Sequence, residues 1–85
     1  IMEEFTFEEI GLMSIYYSAA TTRRDMIRSL IKMRGYLDQD EESLLTLTDA
    51  TISKLNAISD EVFMHLEIYP DYGNKNGYLY KGKLS

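Results

Sequence analysis

Apolar residues recur at helical spacing along the first seventy residues of the chain. A first predicted helix, at about residues 7–19, has a capping box, because Thr6 and Glu9 stand three residues apart. Phe5 and Ile10 have the spacing of a hydrophobic staple, which fixes the direction in which the chain enters the helix. The apolar residues of this helix share one broad face: Ile10, Leu12, Met13, Tyr16, Tyr17 and Ala20.

A second predicted helix begins after Thr22, where Thr22 and Asp25 repeat the spacing of a hydroxyl cap and an acidic residue. Its apolar stripe consists of Met26, Ile27, Leu30, Ile31, Met33 and Leu37. Glycine in a helix interior costs about 1 kcal/mol relative to alanine. We therefore expect this helix to end near Gly35.

An acidic break, DQDEES, precedes a third predicted helix, for which Asp38 or Asp40 is the expected N-cap. The apolar face of this helix consists of Leu44, Leu45, Leu47, Thr48, Thr51, Ile52, Leu55 and Ile58. A short fourth helix opens at Ser59, with Asp60 and Glu61 in its first turn. Its inward-pointing residues are Val62, Phe63 and Leu66.

These elements predict an all-α fold, a small three- to four-helix bundle at residues 1–70. Residues 71–85 (DYGNKNGYLYKGKLS) contain three glycines and show no helical period, so we predict a flexible, irregular tail there. A short hairpin that turns at Asn76-Gly77 is the alternative. No repeat and no interior linker divides the chain, and 85 residues make one domain.

Composition excludes several classes of protein. The chain has no Cys, so a disulfide framework, a thiolate nucleophile and a Cys-based zinc site are impossible. Its hydrophobic content of 45% is too high for a disordered protein. No apolar run reaches the length of a membrane span, and the start, IMEEFTFEEI, is too acidic for a secretory signal. We therefore expect a cytoplasmic protein without a membrane partner.

Chemistry-bearing residues are sparse. Glu61 and His65 stand four residues apart, which suits either a two-ligand metal site or a surface ion pair. We favour the ion pair, because catalytic zinc usually has three protein ligands.

The segment DQDEESLLTLTD resembles a calcium loop, but Ser43 replaces the turn glycine and Asp49 replaces the final Glu. No phosphate-binding motif is present. We predict no enzyme activity, no metal, no cofactor and no small-molecule substrate.

Charge is unevenly distributed in this acidic chain, whose formal net charge is −5. Residues 21–37 hold five of the nine basic residues. Arg24, Arg28 and Lys32 recur every four residues and form one ridge opposite the apolar stripe. Arg23 and Arg34 instead fall within or beside the apolar arc, where we expect structural ion pairs. The ridge predicts contact with an acidic surface, either the chain's own or that of a protein partner.

Direct DNA binding by the second helix is the alternative. An acidic domain opposes the phosphate neutralisation on which DNA affinity depends, so we favour a protein partner. A second candidate contact surface lies in the tail, where Tyr72, Tyr78 and Tyr80 stand among lysines. Such tyrosines can stack on single-stranded nucleic acid, but they equally suit the bundle or a protein interface, which we favour.

Two runs carry a family resemblance: FTFEEIGLMSIYYSAATTRRDMIRSLIKMRGYL and LLTLTDATISKLNAISDEVFMHL. Together they resemble the putative transposon-transfer-assisting proteins (TTRAP), small proteins of conjugative transposons in Firmicutes. The resemblance covers roughly residues 3–70, fades in the tail, and rests on the overall pattern rather than on a catalytic signature. It implies a compact helical domain and a mobile-element context. In that context we expect a non-enzymatic accessory protein that assists or regulates transfer of the element through protein–protein contacts. It implies no functional residues.

Overall fold

The computed structural model describes residues 4–18 and 20–68. Within them the chain forms four helices: α1 (Phe7–Tyr16), α2 (Arg23–Arg34), α3 (Glu42–Ala57) and α4 (Asp60–Met64). No strand occurs in this part of the chain, and the predicted all-α bundle is confirmed. The predicted tail at residues 71–85, with its hairpin alternative, lies outside the described residues.

The start of α1 is as predicted, but its end is not. The Thr6 hydroxyl accepts a hydrogen bond from the Glu9 amide (3.1 Å), and the Glu9 carboxylate accepts one from the Thr6 amide (2.8 Å). The helix ends at Tyr16, so the predicted end at about residue 19 is wrong. The Tyr17 amide donates to the Ser14 carbonyl (3.4 Å), and this tighter i→i+3 turn interrupts the α-helical ladder.

The predicted caps of α2 and α4 are confirmed. The Thr22 hydroxyl accepts a hydrogen bond from the Asp25 amide (3.2 Å), and the Ser59 hydroxyl accepts one from the Val62 amide (3.1 Å). Gly35 is the residue directly after α2, as its low helix propensity predicts. Local signals therefore fix both ends of α2.

The predicted N-cap of α3 is wrong. The cap is neither Asp38 nor Asp40 but Glu41, which makes no side-chain capping bond. Its amide donates to the Asp38 carbonyl (3.0 Å), and its carboxylate accepts from the Asp38 amide (2.8 Å). Residues 38–41 thus close a turn of their own, and the helix starts one residue after it.

The hydrophobic core lies where α3 packs against α1 and α2, and α2 also contacts α1 and α4. Its buried apolar residues are Leu12, Met13, Ala20, Met26, Leu30, Leu55, Ile58, Phe63 and Ile68. Thr48 and Thr51 of the predicted α3 face are also fully buried. The Thr51 hydroxyl keeps its hydrogen bond by donating to the Leu47 carbonyl (2.8 Å).

Ile31 departs from the predicted apolar stripe of α2. Its side chain is 54% exposed, whereas the neighbouring Leu30 is fully buried. Successive helical residues are rotated by 100°, and the neighbouring helices cover α2 on the side of Met26 and Leu30. The prediction that Ile31 belongs to the core is therefore wrong.

A buried carboxylate joins α1 to α3. The Glu9 side chain is only 4% exposed, and Lys54 Nζ donates to its Oε1 atom (2.8 Å). The same ammonium donates to the Glu4 carbonyl (2.8 Å) and lies 5.9 Å from the centre of the Phe5 ring. Burial acts to raise the pKa of Glu9, but the hydrogen bonds from Lys54 and the Thr6 amide outweigh it and lower the pKa.

Stability is expected to decline in acid through this carboxylate. Because the pKa of Glu9 is lower in the folded protein, its contribution is complete above the ordinary value of 4.5. It is lost as the pH falls through the folded pKa. Urea denaturation between pH 3 and 7 measures this slope. Glu9→Gln should flatten it and Glu8→Gln, at an exposed neighbouring position, should not; equal slopes for wild type and Glu9→Gln would contradict the assignment.

Candidate protein-contact surface

Three basic side chains line the outer side of α2. Arg24, Arg28 and Lys32 are all exposed, and each is four residues from the next. In an α-helix four residues advance about 6 Å and turn by 400°, so the three side chains form one continuous strip about 12 Å long. We call these three residues the basic ridge.

The basic ridge is open to solvent. Arg28 Nη1 is 3.9 Å from Asp25 Oδ1 on the same helix, and both side chains are largely exposed. Such a pair contributes at most about 1 kcal/mol. Within residues 4–18 and 20–68, Arg24 and Lys32 form no ion pair. The ridge is therefore available to an external acidic surface.

The other two basic residues of α2 bind neighbouring helices. Arg34 forms a two-bond pair with Asp49 of α3, through Nε to Oδ1 and through Nη2 to Oδ2 (3.0 Å). Arg23 Nε donates to Asp60 Oδ1 (2.7 Å), and its Nη1 donates to the Leu55 carbonyl (3.0 Å). The predicted structural role of both arginines is confirmed, and the hydrogen bond from Arg34 lowers the pKa of Asp49.

Apolar side chains border the basic ridge. Ile31 lies between Arg28 and Lys32 along the helix, and the exposed Tyr36 follows Gly35. At the start of α2, a shallow groove of about 350 Å³ is lined by Thr22, Arg23, Arg24, Asp60 and Met64. Interface cores are enriched in aromatic residues, Met and Arg. No sequence pattern pointed to Met64, and the apolar spacing placed Ile31 in the core because that position borders the stripe.

The remaining predicted sites have separate outcomes. The His65 ring contacts the main-chain carbonyl of Glu61 (Nδ1 to O, 2.9 Å) rather than its carboxylate. In the part of the chain that the structure describes, no three His, Cys, Asp or Glu residues are grouped to hold a metal ion. Tyr72, Tyr78 and Tyr80 lie outside that part. None of its helices has the length and apolar character needed to cross a bilayer.

Comparison with protein-family models gives a match over residues 5–70, to the family described as putative transposon-transfer assisting protein (TTRAP). The matched span contains all four helices and the whole basic ridge. Searches of curated proteins and of solved structures returned no match.

Proposed function

The chain belongs to the family of putative transposon-transfer assisting proteins, and from this we propose that it is a non-enzymatic accessory protein of a conjugative transposon. In this role it works in the cytoplasm of the donor cell. It assists or regulates transfer of the element by contacting proteins of the transfer or regulatory machinery. The exposed basic ridge on an acidic domain carries the proposal.

The chemistry of the ridge favours a protein partner. Three cations along about 12 Å match carboxylates on one face of a partner helix, because that face also repeats about every 6 Å. Ile31 and Tyr36 add apolar contact area beside the charges. Complementary charge accelerates encounter and fixes orientation, while apolar contacts slow dissociation.

A DNA-binding accessory protein that uses the same ridge is the second candidate. It is supported by the same exposed cations, which can contact phosphates. A net charge of −5 opposes this candidate, since the domain as a whole repels a polyanion. A mobility-shift titration at low and moderate salt separates the two candidates, because DNA binding through phosphates weakens steeply with salt.

Reversal of the ridge charges is expected to reduce transfer. In donor cells, Arg24→Glu/Arg28→Glu/Lys32→Glu should lower the transfer frequency by about tenfold or more, as repulsion replaces complementary charge. The variant should also lose the partner that wild type captures. Its circular dichroism and melting temperature should stay near wild type, because all three side chains are exposed.

The matched control keeps the charges and changes the side chains: Arg24→Lys/Arg28→Lys/Lys32→Arg should transfer nearly as well as wild type. Undiminished transfer and unchanged partner capture by the reversed variant would remove the ridge from the proposal. Retardation of duplex DNA that the reversed variant loses would favour the second candidate instead.

A further inference from the structure

The outer face of α1 carries two exposed apolar side chains with a glycine between them. Phe7 is 90% exposed and Ile15 is 65% exposed. Gly11 lies midway, and a Cβ added there would meet nothing within 4 Å. The three residues are spaced by four, so they form one row with a notch at its centre. We call Phe7, Gly11 and Ile15 the α1 row.

A second row with the same spacing lies on α2. It consists of Ile27, Ile31 and Gly35, and we call it the α2 row. Ile27 is half-buried, Ile31 projects into solvent, and Gly35 is exposed at the end of the helix. The atoms nearest to a Cβ at Gly35 are carbonyl oxygens of α2 itself, at 3.4 and 3.9 Å. The α2 row therefore has a knob at its centre and a small residue at its end.

The two rows are complementary in shape. We infer that α1 of one copy packs antiparallel against α2 of a second copy, with the Ile31 side chain seated in the notch at Gly11. In this register Phe7 faces Gly35 and Ile15 faces Ile27. Each glycine then meets a large side chain of the other row, and the equal spacing brings all three levels into contact.

Charge complementarity identifies the occupant as a second copy. Residues 4–18 contain acidic residues and no basic one, and Glu4 and Glu8 are exposed beside the α1 row. The α2 row is bordered by the basic ridge. In the antiparallel orientation Glu8 and Lys32 lie on the same side of the contact, about 3 Å apart along the helix axes. Opposite charges therefore border the apolar contact, which favours this pairing over the parallel one.

The α1 row and the α2 row of the same chain cannot pack against each other. α1 and α2 already contact each other inside the bundle, while Phe7, Ile15 and Ile31 are exposed. The contact joins two different surfaces, so it forms either twice in a two-fold dimer or head to tail in a ring or an open chain. Three levels of side chains bury less than the roughly 800 Å² per partner of a stable interface, so we expect weak association. The inference rests on the proposed function only in treating the ridge as a protein-contact surface.

Sedimentation velocity tests the inference with purified protein between about 10 μM and 1 mM. Wild type should gain mass with concentration, more so at low salt. Gly11→Leu fills the notch and Ile31→Asp removes the knob, so each variant alone should stay monomeric. Their equimolar mixture should form 1:1 pairs, because one intact α2 row then meets one intact α1 row.

The variants suit this test because each changes an exposed position. Ser53→Leu, which adds a leucine to an exposed position of α3, is the matched control and should associate like wild type. A monomeric wild type at 1 mM and low salt would overturn the inference. A mixture that stays monomeric would do the same, as would Ile31→Asp associating like wild type, which indicates an α1–α1 contact.

The proposed function and the proposed self-association can be disproved independently of each other. A monomeric wild type whose transfer still falls on ridge reversal leaves the proposed function intact and removes self-association. Self-association in pure protein, together with normal transfer by the ridge-reversed variant, removes the proposed function and leaves self-association intact.

Discussion

Replacement of Lys54 by methionine is expected to lower the free energy of unfolding by about 2–3 kcal/mol. The variant removes the ammonium that binds Glu9 Oε1 and the Glu4 carbonyl, both at 2.8 Å. The Glu9 carboxylate is then buried with only the Thr6 amide as a donor. Lys54 itself is 25% exposed, and the expected loss therefore lies below that for a fully buried pair.

Two further variants test whether this loss of stability comes from an unpaired charge in the interior. Glu9→Gln/Lys54→Met should be more stable than Lys54→Met alone, because no unpaired charge remains in the interior. Lys32→Met, which removes an exposed lysine, should change stability by less than about 0.5 kcal/mol. Urea denaturation at pH 7 gives all three values. Equal losses for Lys54→Met and Lys32→Met would show that the pair does not hold α1 against α3.

The start of a helix was predictable wherever both partners of the capping hydrogen bond lie close together in the sequence. The hydroxyls of Thr6, Thr22 and Ser59 act on amides three residues ahead, so the sequence contains both partners. The start of α3 was not predictable in this way. Several acidic residues compete there, and Glu41 uses its carboxylate to close the preceding turn. The end of α1 depends on a turn that the apolar spacing does not encode.

Long-range pairing could be predicted only in part. The capping box predicted that Glu9 binds Thr6, but not that the same carboxylate is buried against Lys54, 45 residues away. That contact depends on how α1 packs on α3. The position of Arg34 predicted an ion pair with a carboxylate, and the packing of α2 on α3 determines that the carboxylate is Asp49.

The basic ridge was predictable because the spacing of charges alone puts Arg24, Arg28 and Lys32 on one side of a helix. The apolar residue beside it was not. A stripe of six apolar residues is wider than the surface that neighbouring helices cover, and the sequence does not say which edge stays exposed. The exposure of Ile31 therefore follows from the packing of α2, and it turns a charged ridge into a mixed surface suited to protein contact.

Two adjacent substitutions on α2 are expected to have very different effects. Leu30→Ala should lower the free energy of unfolding by about 3 kcal/mol, since Leu30 is fully buried and alanine leaves a cavity. Ile31→Ala should change it by less than about 0.5 kcal/mol, because its side chain is already largely hydrated and alanine is the better helix former. The two variants remove similar apolar volume from neighbouring positions of one helix.

Urea denaturation of wild type and both variants measures this difference in the free energy of unfolding. Circular dichroism checks that helix content is retained. If Ile31→Ala destabilises the protein as much as Leu30→Ala, then Ile31 belongs to the core and α2 is rotated relative to its neighbours. Such a rotation would also turn the Ile31 side chain away from solvent, so it could not enter the notch at Gly11 of a second copy. A small effect of Ile31→Ala on stability, combined with loss of self-association, would assign this side chain to contact between copies rather than to the fold.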